Sequence, residues 1–357
     1  SSHVWVSDMR RGIVVNCDLN VPTNSKIRHI GSNPAGTCVA DLNRNGLADL
    51  VVADLGSFLP EDHKNGRVLW LPDSESPQSE SRVILESIGR VADVRASDFD
   101  NDGDQDLVVA EFGWHKTGGI HVVFNDVNEA GERTFRNLQV DNRPGTIHVP
   151  VTDLDGDGRM DFVALISQEH EVIEAFMNRE SGFEKVRIYS APDPSYGSSG
   201  IELCDFDGDG DVDILYTVGD TFDSHLIKPY HGIWLLRNNG QLSFEPQFIA
   251  AMPGVLRALN ADLDGDGDQD IVAAALLPLK SMQGKASAEL QALIWLEQTT
   301  DGKFDRHVIQ KGRPIYSSLL LSDTDADGDI DIVAGCFHAE PTDPPSLLHR
   351  FENLGPK

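Results

Sequence analysis

Basic residues are scarce in this chain of 357: 29 Lys and Arg stand against 58 Asp and Glu, and the formal net charge is −29. Affinity for nucleic acid rests on Lys and Arg neutralising phosphates, so no nucleic-acid partner is expected. Long apolar runs are missing too. Nothing approaches the roughly 20 residues that a membrane-spanning helix needs, so no membrane span is expected. No secretory leader is visible, but the chain begins at Ser1 without a methionine, and an upstream segment is expected to have been removed. Cysteine is limited to Cys17, Cys38, Cys204 and Cys336, none of them in a C-x-x-C pair. All four lie in or beside apolar strand-like segments, where buried free thiols are expected. A Cys17–Cys336 disulfide is the alternative if the chain ends meet, since spacing does not decide connectivity. There is no G-x-S-x-G nucleophile motif and no phosphate-cradling glycine loop; Ser198-Ser199-Gly200 reads as turn residues entering a strand.

What the chain has in abundance is one acidic loop, six times over. Its clearest copy is Asp262-Leu263-Asp264-Gly265-Asp266-Gly267-Asp268-Gln269-Asp270, running straight into Ile271-Val272-Ala273. The other copies begin at Asp41, Asp98, Asp153, Asp205 and Asp323, with starts 57, 55, 52, 57 and 61 residues apart. A period of this size, with β-type residues after each loop, signals a repeat architecture. Carboxylates at positions 1, 3 and 5 of a tight loop converge on one hard cation and position 9 closes the shell. Carbonyls or water supply the rest of calcium's roughly six to eight oxygens. The candidate ligands are Asp41, Asn43, Asn45 and Asp49; Asp98, Asp100, Asp102 and Asp106; Asp153, Asp155, Asp157 and Asp161; Asp205, Asp207, Asp209 and Asp213; Asp262, Asp264, Asp266 and Asp270; and Asp323, Asp325, Asp327 and Asp331. Position 6 is glycine in every copy, as a sharp turn with positive φ requires. The loop is not an EF-hand, which is longer, ends in glutamate and is flanked by helices.

Five or six structural Ca2+ sites are therefore expected. The Asp41 copy is the weak one, with two carboxylates where the others have four. The alternative reading of every copy is Asp-Gly turn chemistry without metal. The 24 ligand positions less Asn43 and Asn45 account for 22 of the acids, so the negative charge is largely metal sites. Five bound ions would bring the net charge to about −19 and six to about −17. Weak calcium loops suit a compartment where calcium is near millimolar, so a secreted or periplasmic location is expected.

Each repeat reads as four strands, A to D, with the acidic loop joining A to B. In the second repeat these are 94–97, 107–111, 119–125 and 134–140. Complete repeats start near residues 36, 93, 147, 199 and 255. Residues 1–35 supply only B, C and D, and the segment from about 317 to 357 only A, B and C, so 26 strands are expected. Four-stranded units repeated around an axis describe a β-propeller. The expectation is an all-β, seven-bladed propeller forming one domain over residues 1–357, with the two partial units adjacent and closing the ring. A six-bladed ring with those pieces merged is the alternative.

The Asp-x-Asp-x-Asp-Gly-x-x-Asp loops, with Asp54-Leu55-Gly56 and Glu111-Phe112-Gly113 after strand B, resemble the FG-GAP or VCBS repeat family. Its best-known members are the integrin α-subunit propellers. The repeats look more loosely similar to the propeller of aldos-2-ulose dehydratase. The resemblance covers nearly the whole chain and implies the fold and calcium. For function it implies only a range, from adhesion receptors and lectins to sugar-active lyases or dehydratases.

Candidate chemistry sits on the connections opposite the acidic loops, which are long and unlike one another, as binding segments on a rigid scaffold tend to be. Seven of the 12 histidines fall in or beside them: His63, His115, His148, His170, His225, His231 and His338. Five residues before each loop stand Gly36, Asp93, His148, Gly200, Arg257 and Ser318. If that position faces the axial channel, an acid, an imidazole, a guanidinium and a hydroxyl converge at its mouth. The first expectation is an extracytoplasmic carbohydrate lyase or dehydratase. Elimination beside a carbonyl needs a base, an acid and a cation for the enolate. His148 or His170 is the candidate base, Tyr230 or His231 the acid, and Arg257 the cation. Asp93, Glu111, His115, Glu169, Tyr196, Asp220, Asp223, His225 and Lys228 are the candidate substrate-binding residues. Trp114, Tyr196 and Tyr230 are candidates for stacking on a sugar. A transition metal such as Zn2+, held by histidines with Asp220 or Glu169, is a further option. The alternatives are a non-catalytic module that binds a glycan or a partner protein, or a scaffold domain of a larger protein.

Overall fold

The computed structural model describes residues 3–29, 31–76, 78–282, 289–299, 302–337 and 346–355. They form seven antiparallel sheets. The first holds β1 (His3–Asp8), β2 (Ile13–Asp18) and β3 (Lys26–His29). The second holds β4 (Pro34–Ala40), β5 (Asp49–Asp54), β6 (Gly66–Leu71) and β7 (Arg82–Ile88). The third is β8 (Val91–Ser97), β9 (Asp106–Glu111), β10 (Gly119–Val127) and β11 (Arg133–Asp141). The fourth has β12 (Thr146–His148) and β13 (Val151–Thr152) paired to β14 (Asp161–Ile166), then β15 (Val172–Arg179) and β16 (Gly182–Ser190). The fifth is β17 (Ser198–Cys204), β18 (Asp213–Val218), β19 (Gly232–Asn238) and β20 (Phe244–Ala251). The sixth is β21 (Val255–Ala261), β22 (Asp270–Ala275), β23 (Gln291–Gln298) and β24 (Phe304–Lys311). The last is β25 (Tyr316–Ser322), β26 (Asp331–Cys336) and β27 (Leu348–Phe351).

This is an all-β, seven-bladed β-propeller fold of antiparallel blades, with the two terminal pieces as separate sheets rather than one merged blade. Among the described residues the 26 expected strands become 27, because the A strand of the fourth blade is split between β12 and β13. Pro150 lies in the gap and cannot donate to the ladder.

Burial explains the strand roles. The B strands β5, β9, β14, β18 and β22 are buried at every position. Their near-continuous apolar runs are those of strands covered on both faces. The D strands, such as β11 and β16, are largely exposed and carry charge, which blunts an edge against unwanted pairing.

The chain divides into two compact units. One comprises Trp5–Cys17 and Thr23–Ser195; the other is Tyr196–Lys357 with Ser1–Val4 and Asp18–Pro22. In the first, blade-to-blade cores join Val14 to Leu50 and Leu69, Val51 and Val68 to Val94 and Val109, and Val108 and Ile120 to Phe162 and Phe176. In the second, Leu215 and Ile233 pack with Ala258 and Ile271, and Val272 and Leu293 with Tyr316 and Ile332. All four cysteines are free thiols.

Candidate functional site

Each acidic loop closes on itself through its first carboxylate. That group accepts the N–H of the position-6 glycine in all six copies, at 2.8 Å for Asp41 and up to 3.2 Å for Asp323. Position 6 lies at φ between +80° and +100° throughout. Position 4 is also left-handed in every copy: Arg44, Asn101, Gly156, Gly208, Gly265 and Ala326.

The position-9 aspartates have a structural role of their own. Asp49, Asp106, Asp161, Asp213, Asp270 and Asp331 are almost fully buried. In each, one oxygen accepts the N–H of position 2 and the other an N–H within two residues of the end of strand C. Burial pushes the Asp106 carboxyl up to about 6 and raises those of Asp161, Asp213 and Asp270. Sequence reading missed the partner of this keystone, in most blades an asparagine near the end of strand C. The Asn125, Asn178 and Asn353 side chains reach back to the position-2 carbonyl of the preceding blade's loop, Leu42, Phe99 and Leu263. Asparagine stands at this place in four of the six blades, as Asn125, Asn178, Asn238 and Asn353, with Asp73 and Gln298 in the other two, and that recurrence was the available signal.

Carboxylate oxygens draw within 4.8 Å of one another in the groups Asp98/Asp100/Asp106, Asp153/Asp155/Asp161, Asp205/Asp207/Asp209 and Asp262/Asp264/Asp266. Asp98 Oδ1 and Asp268 Oδ1 are buried with no hydrogen-bond partner among the described residues. Hard, crowded oxygens with orphaned lone pairs fit a hard divalent cation such as calcium.

At the opposite end of the blades, strand A begins with a register shift in every complete blade and in the last one. The shift falls immediately before Gly36, Asp93, His148, Gly200, Arg257 and Ser318. A bulge re-aims the side chain beside it. Within each unit the A strands are neighbours, so these equivalent positions meet.

In the first unit, Asp93 Oδ2 lies 3.6 Å from His148 Nδ1 and accepts the Val149 N–H at 3.2 Å, while Arg95 Nε sits 3.2 Å from the carboxylate. Burial alone would raise the Asp93 carboxyl, but the Arg95 charge and the His148 contact hold it well below the usual carboxylate range. Arg95 shares a strand face with Asp93, a period-2 relation the sequence already displays.

In the second unit, a Cβ on Gly200 would stand 2.5 Å from the Leu256 carbonyl and 3.5 Å from Arg257 Cδ. Arg257 donates to Ile201 O at 3.0 Å and to Glu202 at 3.1 Å.

Several binding candidates are already engaged. Glu111 is 5 % exposed; one oxygen accepts the Gly89 N–H and the other lies 2.9 Å from His121 Nε2. His115 is exposed and its N–H is held by Asp62, which also accepts from the backbone of Lys116 and Thr117. Trp114 is covered by His115 at 4.6 Å and Arg90 at 5.4 Å. Tyr196 and Tyr230 stack on each other at 4.5 Å rather than presenting two open faces. Lys228 Nζ stands 5.9 Å from the Tyr230 ring.

His231, edge-on to Tyr230, is 2 % exposed, and neither ring nitrogen has a hydrogen-bond partner among the described residues. Burial and then the Lys228 charge push it down to about 4. The ring is therefore neutral near pH 7, which suits a base or ligand rather than the general acid expected of it. Burial raises the nearby Asp220 carboxyl, which accepts the Phe222 N–H at 2.8 Å. Asp223 is exposed, and His225 adopts φ +56° with its N–H on Thr221 O at 2.9 Å.

His170 is lowered by burial and then by Arg143, while Glu169 is exposed. Beside them runs a network the sequence did not announce: Arg143 bridges Asp141 and Glu174, with Lys185 on Asp141 and Arg187 on Glu174. His338 lies outside the described residues.

The FG-GAP-like repeat family matches three overlapping stretches, residues 41–109, 98–164 and 153–216. Each runs from one acidic loop into strand B of the next blade. No curated protein sequence matches the chain. Among solved structures, a protein from Lactobacillus plantarum is 16% identical with a TM-score of 0.55, covering 94% of this chain and 88% of that one. An ancestral GH74 enzyme is 12% identical with a TM-score of 0.57, covering 98% of this chain but 48% of that one. At such identities the likeness shows the fold. The chain has a β-propeller fold and carries FG-GAP-like repeats over residues 41–216.

Proposed function

We propose that the protein is an extracytoplasmic, calcium-stabilised propeller that acts on carbohydrate as a lyase or dehydratase. The observation that carries this reading is the Asp93–His148 pair, an imidazole 3.6 Å from a carboxylate kept ionised by Arg95. Asp93 orients the ring and stabilises its protonated form. His148 takes the proton from the carbon beside a carbonyl or carboxylate. The C–H electrons become the new double bond as the C–O bond at the next carbon breaks. In a syn elimination the imidazolium returns its proton to the departing oxygen, which leaves as water or as an alcohol. One pair then serves as base and acid in turn.

The test is a panel of uronides and keto-sugars, followed by absorbance of the unsaturated product. H148Q is expected to abolish turnover and D93N to lower it about 10²- to 10⁴-fold. Metal analysis of protein kept from chelators belongs beside it. Calcium alone supports the residue-only chemistry, whereas one zinc, manganese or iron per chain moves the reading to metal-assisted elimination.

A second reading, a non-catalytic glycan- or protein-binding module, draws on the engaged state of the other candidates. Glu111, Arg257 and the Tyr196–Tyr230 stack are all tied to neighbours. Specific glycan binding with no turnover across the panel favours it.

A further inference from the structure

Three arginines sit on the ligand carboxylates of three acidic loops, and none belongs to the loop it touches. Arg179 brackets the Asp153 loop, with Nη2 2.6 Å from Asp155 and Nη1 2.9 Å from Asp157. Arg237 places Nη1 2.5 Å from Asp207. Arg350 places Nη2 2.5 Å from Asp325 and 3.0 Å from Asp331. All three come from the C strand of the loop's own blade, yet from different places on it. Arg179 follows Asn178, Arg237 precedes Asn238, and Arg350 stands three residues before Asn353. A fixed strand register would not produce this pairing three times.

The loops at Asp98 and Asp262 differ. Arg44 and Arg133 approach the Asp98 loop only at Asp104, its seventh position. No ion pair reaches positions 1, 3, 5 or 9 of either loop among the described residues. The Asp98 loop also holds an orphaned oxygen at its first position, Asp98 Oδ1, while in the Asp262 loop the orphaned oxygen, Asp268 Oδ1, stands at the seventh position.

We propose that the arginines are built-in counter-cations that divide the five fully acidic loops into two classes. In the Asp153, Asp205 and Asp323 loops the guanidinium already neutralises part of the carboxylate cluster. A divalent cation there must displace it from the same oxygens, so these loops hold their shape without metal and bind calcium weakly. The candidate ligand positions of the Asp98 and Asp262 loops have no such counter-cation among the described residues, so a bound ion there relieves like-charge repulsion without displacing an arginine. They bind calcium first and lose order when it is removed. The inference rests on the calcium reading given above.

Calcium titration by calorimetry on the chelator-stripped full chain tests it, with thermal melting as a second readout. Two tight steps are expected, followed by sites at least about tenfold weaker. D264N should remove one tight step. R179Q and R237Q should each tighten one weak site about tenfold while lowering the melting temperature of the metal-free protein. Both arginines are about one-third exposed, so either variant is expected to fold. Five equivalent sites, unchanged titrations in both variants, or loss of a weak step in D264N would overturn the inference and leave the calcium reading standing. No binding at any loop would overturn both.

Discussion

Asp161 and Asp155 belong to the same loop but answer to different physics. Asp161 is fully buried and satisfies two backbone N–H groups, those of Leu154 and Asn178, at 3.0 and 2.7 Å. D161A would strand both donors in the interior at a cost of about 2–4 kcal/mol. D155N removes a charge from a surface pair and leaves the interior intact. In chelator, urea melts should show D161A strongly destabilised and D155N close to the parent; a similar loss in both would mean position 9 has no structural role of its own. Ala326 makes a second residue-level case. It holds φ +67° at a position where three of the other five loops use glycine. A326G should therefore stabilise the protein by about 1 kcal/mol, readable as a higher melting temperature. Position 6 was legible in the sequence because glycine marks a left-handed turn. Position 4 was not, because Arg44, Asn101 and Ala326 adopt that conformation without announcing it.

Between elements, the network around Arg143 ties β11, β15 and β16 together. The Asp141 side chain is 1 % exposed and contacts Arg143 and Lys185 at 2.7 Å each. Burial opposes its ionisation, but those partners hold the carboxyl at about 2, against about 3.9 for an unfolded chain. A depressed acid contributes stability above the unfolded value and loses it as pH falls towards the folded one. D141N should cost about 1–2 kcal/mol at pH 7, a modest figure because solvent reaches Lys185 and Arg143. The gap between parent and variant should close between about pH 4 and pH 2; a gap constant over that range would rule the network out as the cause. The strand pattern behind these contacts was readable, since apolar B and C strands alternate with polar D strands. The contacts were not, because Arg143 lies in a connection with no periodicity to place it.

For the whole molecule, charge is the dominant fact. A net −29 concentrates in loops whose carboxylates crowd together. Calcium that binds only the folded chain should stabilise it by about 2.7 kcal/mol per site at about 100 times the Kd. Adding chelator should lower the melting temperature and calcium should restore it; a melting temperature indifferent to both would remove calcium as a structural ion. The repeat length, the loops and the seven-bladed all-β class followed from sequence alone. Each depends on residues a few positions apart, where turn chemistry and strand period act directly. The pairing of Asp93 with His148, 55 residues away, was visible only as a shared position before each loop. Packing of neighbouring A strands made it a 3.6 Å contact. Tertiary structure alone decided that Glu111 turns to His121, that Tyr196 and Tyr230 stack on each other, and that three arginines lie on acidic loops. Each joins segments that meet only when strands pair or loops fold back across a blade, and no local pattern encodes that meeting.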